Sequence, residues 1–147
     1  MPITKILLDL GGGIFVILGL LHALYTYLDI DRPRRLVPQD PAVARAMAES
    51  NLRLSGTGTT IWRAWVGFNF SHSLGVVLFG AACIGTGFAL GTTVVPAWLL
   101  FVFVVVALIY LVVGLLYWFR IPVRGIAFAA ACLLLAWLTY AFAGARH

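Results

Sequence analysis

Two histidines, His22 and His72, lie inside apolar segments that are long enough to cross a membrane. Tyr25 follows His22 by one helical turn and Asn69 precedes His72 by one turn, so each imidazole shares a helical face with a second polar side chain. Imidazole, phenol and amide groups exchange hydrogen bonds, and an ionisable residue inside a membrane is by default a functional-site hypothesis. We therefore take these four residues, with Tyr110, as candidate ligand-binding residues.

The composition is that of an integral membrane protein. Apolar residues make up 63% of the 147 residues and charged residues only 10%, and the mean hydropathy is +1.03. A membrane-spanning helix needs about 20 predominantly apolar residues. Four segments qualify, and they comprise residues 6–28, 62–86, 96–119 and 125–143. We predict an all-α fold, a transmembrane four-helix bundle formed by one integral membrane domain over residues 1–147.

The long connection between the first two spans contains a helix start signal. Asp40 is a good N-cap residue, and Pro41 follows at the first helical position. Downstream, four residues recur at helical spacing on one side: Val43, Met47, Ser50 and Leu54. The pattern predicts a short amphipathic helix over residues 41–54 that lies at the membrane interface.

The basic residues are unevenly distributed between the connections. Of ten Lys and Arg residues, six lie between the first and second spans: Arg32, Arg34, Arg35, Arg45, Arg53 and Arg63. Arg120 and Arg124 flank what we expect to be a tight turn before the fourth span. The positive-inside rule places both connections in the cytoplasm and both termini outside, across a bacterial inner membrane. We expect Arg32, Arg34, Arg35 and Arg63 to lie at the membrane surface, and we expect no nucleic-acid partner.

Counting residues from the charged ends gives the depth of each imidazole. His22 lies seven residues before Asp29, and His72 lies nine residues after Arg63. Each imidazole is thus roughly 10–14 Å below the cytoplasmic boundary. Antiparallel neighbouring helices would bring both to one layer, and Tyr110 falls near the same layer in the third span. The sequence predicts a shared polar site.

Several uses of this site are open. Three uses agree with these residues. They are a purely structural hydrogen-bonding network, a pocket for a lipophilic small molecule or lipid, and a contact for a partner membrane subunit or a second copy of the chain. The alternatives are a membrane enzyme and a haem b protein with two axial histidines. We expect no metal site, because two neutral nitrogens need at least a third ligand. Transport is less favoured, because we expect no carboxylate deep within a span.

Small residues also recur at helical spacing. Gly67, Ser71 and Gly75 follow one another by four residues in the second span, and Gly125 and Ala129 do the same in the fourth. Such stripes let transmembrane helices approach closely. We interpret both stripes as packing surfaces.

Two stretches carry a resemblance to known proteins. The first is His22-Ala23-Leu24-Tyr25-Thr26-Tyr27, and the second runs Arg63-Ala64-Trp65-Val66-Gly67-Phe68-Asn69-Phe70-Ser71-His72-Ser73. Together they resemble a family of small uncharacterised bacterial integral membrane proteins of four spans, which implies the fold but no particular activity. In size and helix number the chain is also similar to the membrane-associated eicosanoid and glutathione enzymes. It lacks the glutamate of their second-helix signature, so we do not infer glutathione binding.

Overall fold

The computed structural model describes residues 2–54 and 58–144, and within them the regular structure is helical. The helices are α1 (Pro2–Asp31), α2 (Pro41–Glu49), α3 (Ile61–Ala89), α4 (Ala97–Tyr117) and α5 (Arg120–Gly144). The four long helices α1, α3, α4 and α5 are long and apolar enough to cross a membrane. The short α2 lies between the first two of them. The predicted fold class is confirmed.

The chain forms two compact units. Met1–Leu18 and Val76–His147 make one, which we call the apolar unit, and Gly19–Gly75 makes the other, which we call the polar unit. The names follow from what each unit buries. The large buried side chains of the apolar unit are hydrocarbon and aromatic, among them Leu8, Phe15, Leu100, Ile126 and Leu133. Among the described residues of the polar unit, the buried side chains all carry a hydrogen-bonding group: Thr26, Asp29, Asn69 and Ser73.

Within the apolar unit, α1 and α3 cross at two glycines. A Cβ atom added to Gly12 would lie 2.6 Å from the carbonyl oxygen of Gly80. A Cβ atom added to Gly80 would in turn collide with the carbonyl oxygen of Gly12 and with Val16. The two backbones are therefore in direct contact, which only glycine permits, and helices in a membrane gain van der Waals energy from this approach.

Aromatic rings fill the space beside this crossing. The ring centroids of Phe15 and Phe79 lie 4.8 Å apart at an interplanar angle of 82°. Phe103 packs edge-on against Phe79 from α4, and Tyr110 contacts both Phe15 and Phe79. Edge-to-face pairs at these distances are favourable beyond the area that they bury. The cluster joins α1, α3 and α4.

Helix α5 completes the apolar unit. Its Ala129 and Leu133 pack against Gly11 of α1, where an added Cβ atom would lie 3.0 Å from the Leu133 side chain. Thr139 and Thr4 share a hydrogen bond of 3.1 Å. The Tyr140 hydroxyl donates to the Val95 carbonyl in the connection before α4. The predicted packing role of Gly125 and Ala129 agrees with these contacts, because a Cβ atom on Gly125 would meet Leu18 at 3.2 Å.

The stripe on α3 behaves differently. An added Cβ atom on Gly67 would meet nothing within 4 Å, and Ser71 and Gly75 are exposed. Within the described part of one copy of the chain, the prediction that this stripe is a packing surface is therefore not met. Packing of the stripe against a second copy stays a prediction. Close helix approach on α3 occurs instead at Gly80, because that glycine faces another glycine on α1.

Helix α2 starts where the sequence predicts and ends earlier. The Asp40 carboxylate accepts a hydrogen bond of 2.8 Å from the Ala42 backbone N–H, and Pro41 occupies the first turn. The helix ends at Glu49 instead of reaching residue 54. An antiparallel bridge between Asn51 and Thr60 follows the helix. The Leu52 N–H donates to the Thr59 carbonyl, and the Ile61 N–H donates to the Ser50 carbonyl. A longer helix would need these backbone groups for its own hydrogen bonds.

The expected basic turn before α5 is helical. Residues 120–124 form the first turn of α5, so Trp118 and Phe119 alone connect it to α4. Pro122 is compatible with this position. The first four N–H groups of a helix have no intrahelical acceptor, so a proline, which has no backbone N–H, removes no hydrogen bond there.

The glycine crossing makes a prediction about stability. Gly80→Ala should lower the free energy of unfolding by about 1–3 kcal/mol, because the methyl group would press on the Gly12 backbone, which cannot move aside like a flexible side chain. Gly85→Ala is the matched control on the same helix, since a Cβ atom there would meet nothing within 4 Å. Unfolding of purified protein in mixed micelles, followed by circular dichroism, measures both. Equal stability of the two variants would contradict the crossing.

Candidate functional site

The polar unit is organised around Asn69 of α3, which is 4% exposed. Its side-chain nitrogen donates to the Trp65 carbonyl at 2.7 Å. This fixes the orientation of the amide, so its oxygen faces His22 Nε2 at 2.7 Å. An amide oxygen only accepts hydrogen bonds, and His22 Nε2 is therefore the donor. One amide thus joins α1 to α3 within the apolar part of both helices.

His72 lies against His22. The two ring centroids are 5.4 Å apart at an interplanar angle of 78°, with the edge of one ring toward the face of the other. On its own helix, His72 is nearly parallel to Phe68, with ring centroids 6.3 Å apart and an interplanar angle of 10°. His22 and His72 are both half-buried, and Phe68 is exposed. The result is a partly accessible aromatic surface with two imidazoles in it.

Two buried hydroxyls flank this cluster. Thr26 donates to the His22 carbonyl at 2.9 Å, and Ser73 donates to the Asn69 carbonyl at 2.8 Å. Each bond joins a residue to the carbonyl four positions earlier on the same helix, a common way to satisfy a hydroxyl in an apolar environment. Thr26 and Ser73 are therefore buried in the polar unit with their hydroxyl groups hydrogen-bonded.

Asp29 holds the chain where α1 ends. Its carboxylate accepts three backbone hydrogen bonds, from Arg34 at 3.1 Å, from Arg35 at 2.9 Å and from Leu36 at 2.6 Å. The residue is 2% exposed. A buried carboxylate is tolerated when several N–H groups point at it, and the turn after α1 supplies them.

Trp65 links this turn to the Asn69 cluster. Its indole N–H donates to the Leu36 carbonyl at 3.0 Å, while its own carbonyl accepts from Asn69. Hydrogen bonds and covalent connections therefore run from His22 through Asn69, Trp65 and Leu36 to Asp29. The two helix ends and the turn between them are tied into one network.

A cavity of about 420 Å³ opens beside Trp65, within the polar unit. Its lining is formed by Arg35, Leu36, Val37, Pro38, Met47 and Trp65. Five of the six are apolar or aromatic, and Arg35 contributes the charge. The volume is within the range of small-molecule sites, which is about 300–1,000 Å³.

The structure brings together some of the sequence-predicted residues. His22, Asn69 and His72 meet as described. Tyr25 lies one turn further along α1, where its ring is 5.3 Å from the guanidinium carbon of Arg35. Tyr110 contacts Phe15 and Phe79 in the apolar unit, and its role in ligand binding stays a prediction. The predicted membrane-surface arginines are all exposed: Arg32, Arg34, Arg35 and Arg63.

Sequence reasoning missed two contributors to the site. Asp29 and Trp65 hold the turn after α1, and neither was among the predicted site residues. Asp9 lies within α1 and pairs with Lys5 at 2.6 Å. One of its carboxylate oxygens is buried and has no hydrogen-bond partner among the described residues. The expectation of no carboxylate deep in a span therefore needs correction, since Asp9 is about 10 Å along α1 from Pro2.

The four long helices define the class of protein, a small multi-pass integral membrane protein. Comparisons with protein-family models, curated proteins and solved structures found no match. The predicted resemblance to bacterial four-span proteins stays a prediction.

The Asn69 contacts make a prediction about stability. Asn69→Leu should lower the free energy of unfolding by about 1–2 kcal/mol, because His22 Nε2 loses its acceptor in an apolar environment. Ser71→Ala is the matched control, since Ser71 is exposed and its hydroxyl donates to the Phe68 carbonyl of its own helix. The control should change stability by less than about 0.5 kcal/mol. Detergent unfolding titrations compare the two, and an unaffected Asn69→Leu variant would show that the His22 contact adds no stability.

Proposed function

We propose that this protein binds a lipophilic small molecule whose polar, planar head group docks at His22, Asn69 and His72. The proposal is supported above all by the meeting of two imidazoles, 5.4 Å apart, on apolar helices. Polar groups are costly at that depth, and intramembrane histidines commonly mark ligand or proton pathways. A quinone-like molecule has the required chemistry, with carbonyl groups that accept hydrogen bonds and a ring that stacks.

The three side chains have different parts in this proposal. Asn69 sets the orientation of His22, since the amide is itself fixed by the Trp65 carbonyl. His72 is half-buried and lies beside the exposed ring of Phe68, so it is the imidazole that a ligand arriving from the bilayer meets together with an aromatic face. Neutral imidazole both donates and accepts a hydrogen bond, which suits a carbonyl or hydroxyl head group.

A decyl-substituted benzoquinone is a suitable probe, and quenching of tryptophan fluorescence reports its binding. The wild-type protein should bind with saturation, and His72→Leu should weaken binding about tenfold or more, because a head-group hydrogen bond is lost in an apolar site. Ser71→Ala, one residue away and exposed, should bind like the wild type. Equal affinity of wild type and His72→Leu would overturn the proposal.

Other occupants of the same site would give different experimental results. Organic extraction of purified protein followed by mass spectrometry would reveal a retained lipid instead of a quinone. Co-purification of a stoichiometric membrane protein, lost in His72→Leu, would indicate a partner subunit. Haem b held by His22 and His72 would give a visible absorption band on reconstitution, and this band would be lost in His72→Leu.

We also propose that the protein resides in the bacterial inner membrane, with the connections around α2 and before α5 in the cytoplasm and both termini outside. The proposal is supported by the arginines of these two connections and by the absence of charge in residues 90–96 between α3 and α4.

The topology is tested with single cysteines at exposed positions of opposite connections. Thr92→Cys should react with a membrane-impermeant maleimide in intact cells, whereas Gln39→Cys should react only after the cells are broken. Labelling is read by mass shift, and Cys83 and Cys132 give little background because both are buried. The reverse pattern would invert the proposed orientation.

A further inference from the structure

The cavity beside Trp65 is separate from the histidine cluster and differs from it in chemistry. Its floor is formed by Leu36, Val37, Pro38 and Met47 together with the Trp65 side chain, and Arg35 supplies the single charge of the lining. The histidine cluster supplies hydrogen-bonding rings, whereas this cavity offers hydrocarbon beside a cation. Such a lining fits a molecule with a hydrocarbon chain and an anionic head.

Arg35 has hydrogen-bonding capacity for an anion. Its nearest carboxylate, Asp29, is 4.0 Å from the Arg35 guanidinium, which is longer than a hydrogen bond. Asp29 is already satisfied by three backbone N–H groups. The Arg35 side chain is 47% exposed, so the guanidinium is within reach of the solvent or the bilayer surface. Guanidinium matches phosphate oxygens with two parallel N–H donors.

The position of the cavity along the helices favours a membrane lipid. Arg35 lies four residues beyond the end of α1 at Asp31, and Trp65 lies four residues, or about 6 Å, inside the start of α3. Both positions are at the end of a candidate span, the level at which phospholipid head groups meet the hydrocarbon. Further exposed arginines on the same connection, Arg32, Arg34 and Arg45, attract an anionic bilayer surface.

We propose that this cavity is a binding site for one anionic phospholipid, with its phosphate on Arg35 and part of an acyl chain along Leu36, Met47 and Trp65. The charge complementarity between Arg35 and the phosphate, beside an apolar floor, carries the proposal. The lipid would join the turn after α1 to α2 and α3 and so hold the cytoplasm-proximal end of the polar unit in place.

The test is native mass spectrometry of the full chain released from uncharged detergent. The probes are dioleoyl phosphatidylglycerol and dioleoyl phosphatidylcholine, which share their chains and differ in net charge. The wild-type protein should retain one phosphatidylglycerol with about tenfold higher affinity than phosphatidylcholine, and Arg35→Gln should abolish this preference. Inorganic phosphate should not displace the lipid, because it cannot occupy the apolar floor.

Two controls separate this site from general charge and from the proposed ligand site. Arg45→Gln removes the same charge from α2 outside the cavity lining and should keep the preference, whereas His72→Leu should keep it while losing the quinone probe. Val37→Trp, which fills the floor, should weaken both phospholipids. An equal loss in Arg45→Gln and Arg35→Gln would overturn the proposal in favour of unspecific attraction, as would a wild type that does not discriminate the two lipids. Circular dichroism checks that each variant is folded.

Discussion

The hydrogen bond between His22 and Asn69 is the contact on which the polar unit depends. In an apolar medium, an unpaired N–H or amide group is far more costly than in water, so neither side chain would be stable there alone. Asn69 satisfies His22 and is oriented by Trp65, and Trp65 in turn holds the turn that Asp29 organises. The position of His72 against His22 follows from this arrangement. The chemistry proposed for the site is thus a consequence of how α1 and α3 satisfy each other's polar groups.

The helices of the two units are held together by different kinds of contact. The apolar unit uses close backbone contact at Gly12 and Gly80 and interlocking aromatic rings, which require shape but no polar groups. The polar unit instead buries four residues whose side chains form hydrogen bonds. Shape-based packing is insensitive to ligands, whereas a hydrogen-bonded interior offers groups that a ligand can engage. This division places both proposed binding sites in the polar unit.

The sequence predicts the fold class because membrane thickness determines how many apolar residues a span needs. It also predicts that His22 and His72 lie in one layer, and their ring centroids are 5.4 Å apart. The sequence does not predict which glycines of neighbouring helices contact each other. Gly67, Ser71 and Gly75 have the expected spacing yet are exposed, while Gly12 and Gly80 meet because of a helix rotation that spacing alone does not determine. The sequence also does not predict the role of Asp29. Its hydrogen-bond partners are backbone N–H groups, which every residue except proline has, so no residue type in the sequence marks them.

The separation of 47 residues between His22 and Asn69 has a consequence for biogenesis. Helix α1 is synthesised with His22, Thr26 and Asp29 near its C-terminal end, but the amide that pairs with His22 emerges only after α2 and the start of α3. Until then, this end of α1 lacks its partner and is poorly suited to lie in lipid by itself. The hydrogen bond that satisfies His22 can therefore form only after the start of α3 has been synthesised, so the end of α1 depends on a later part of the chain for its stability.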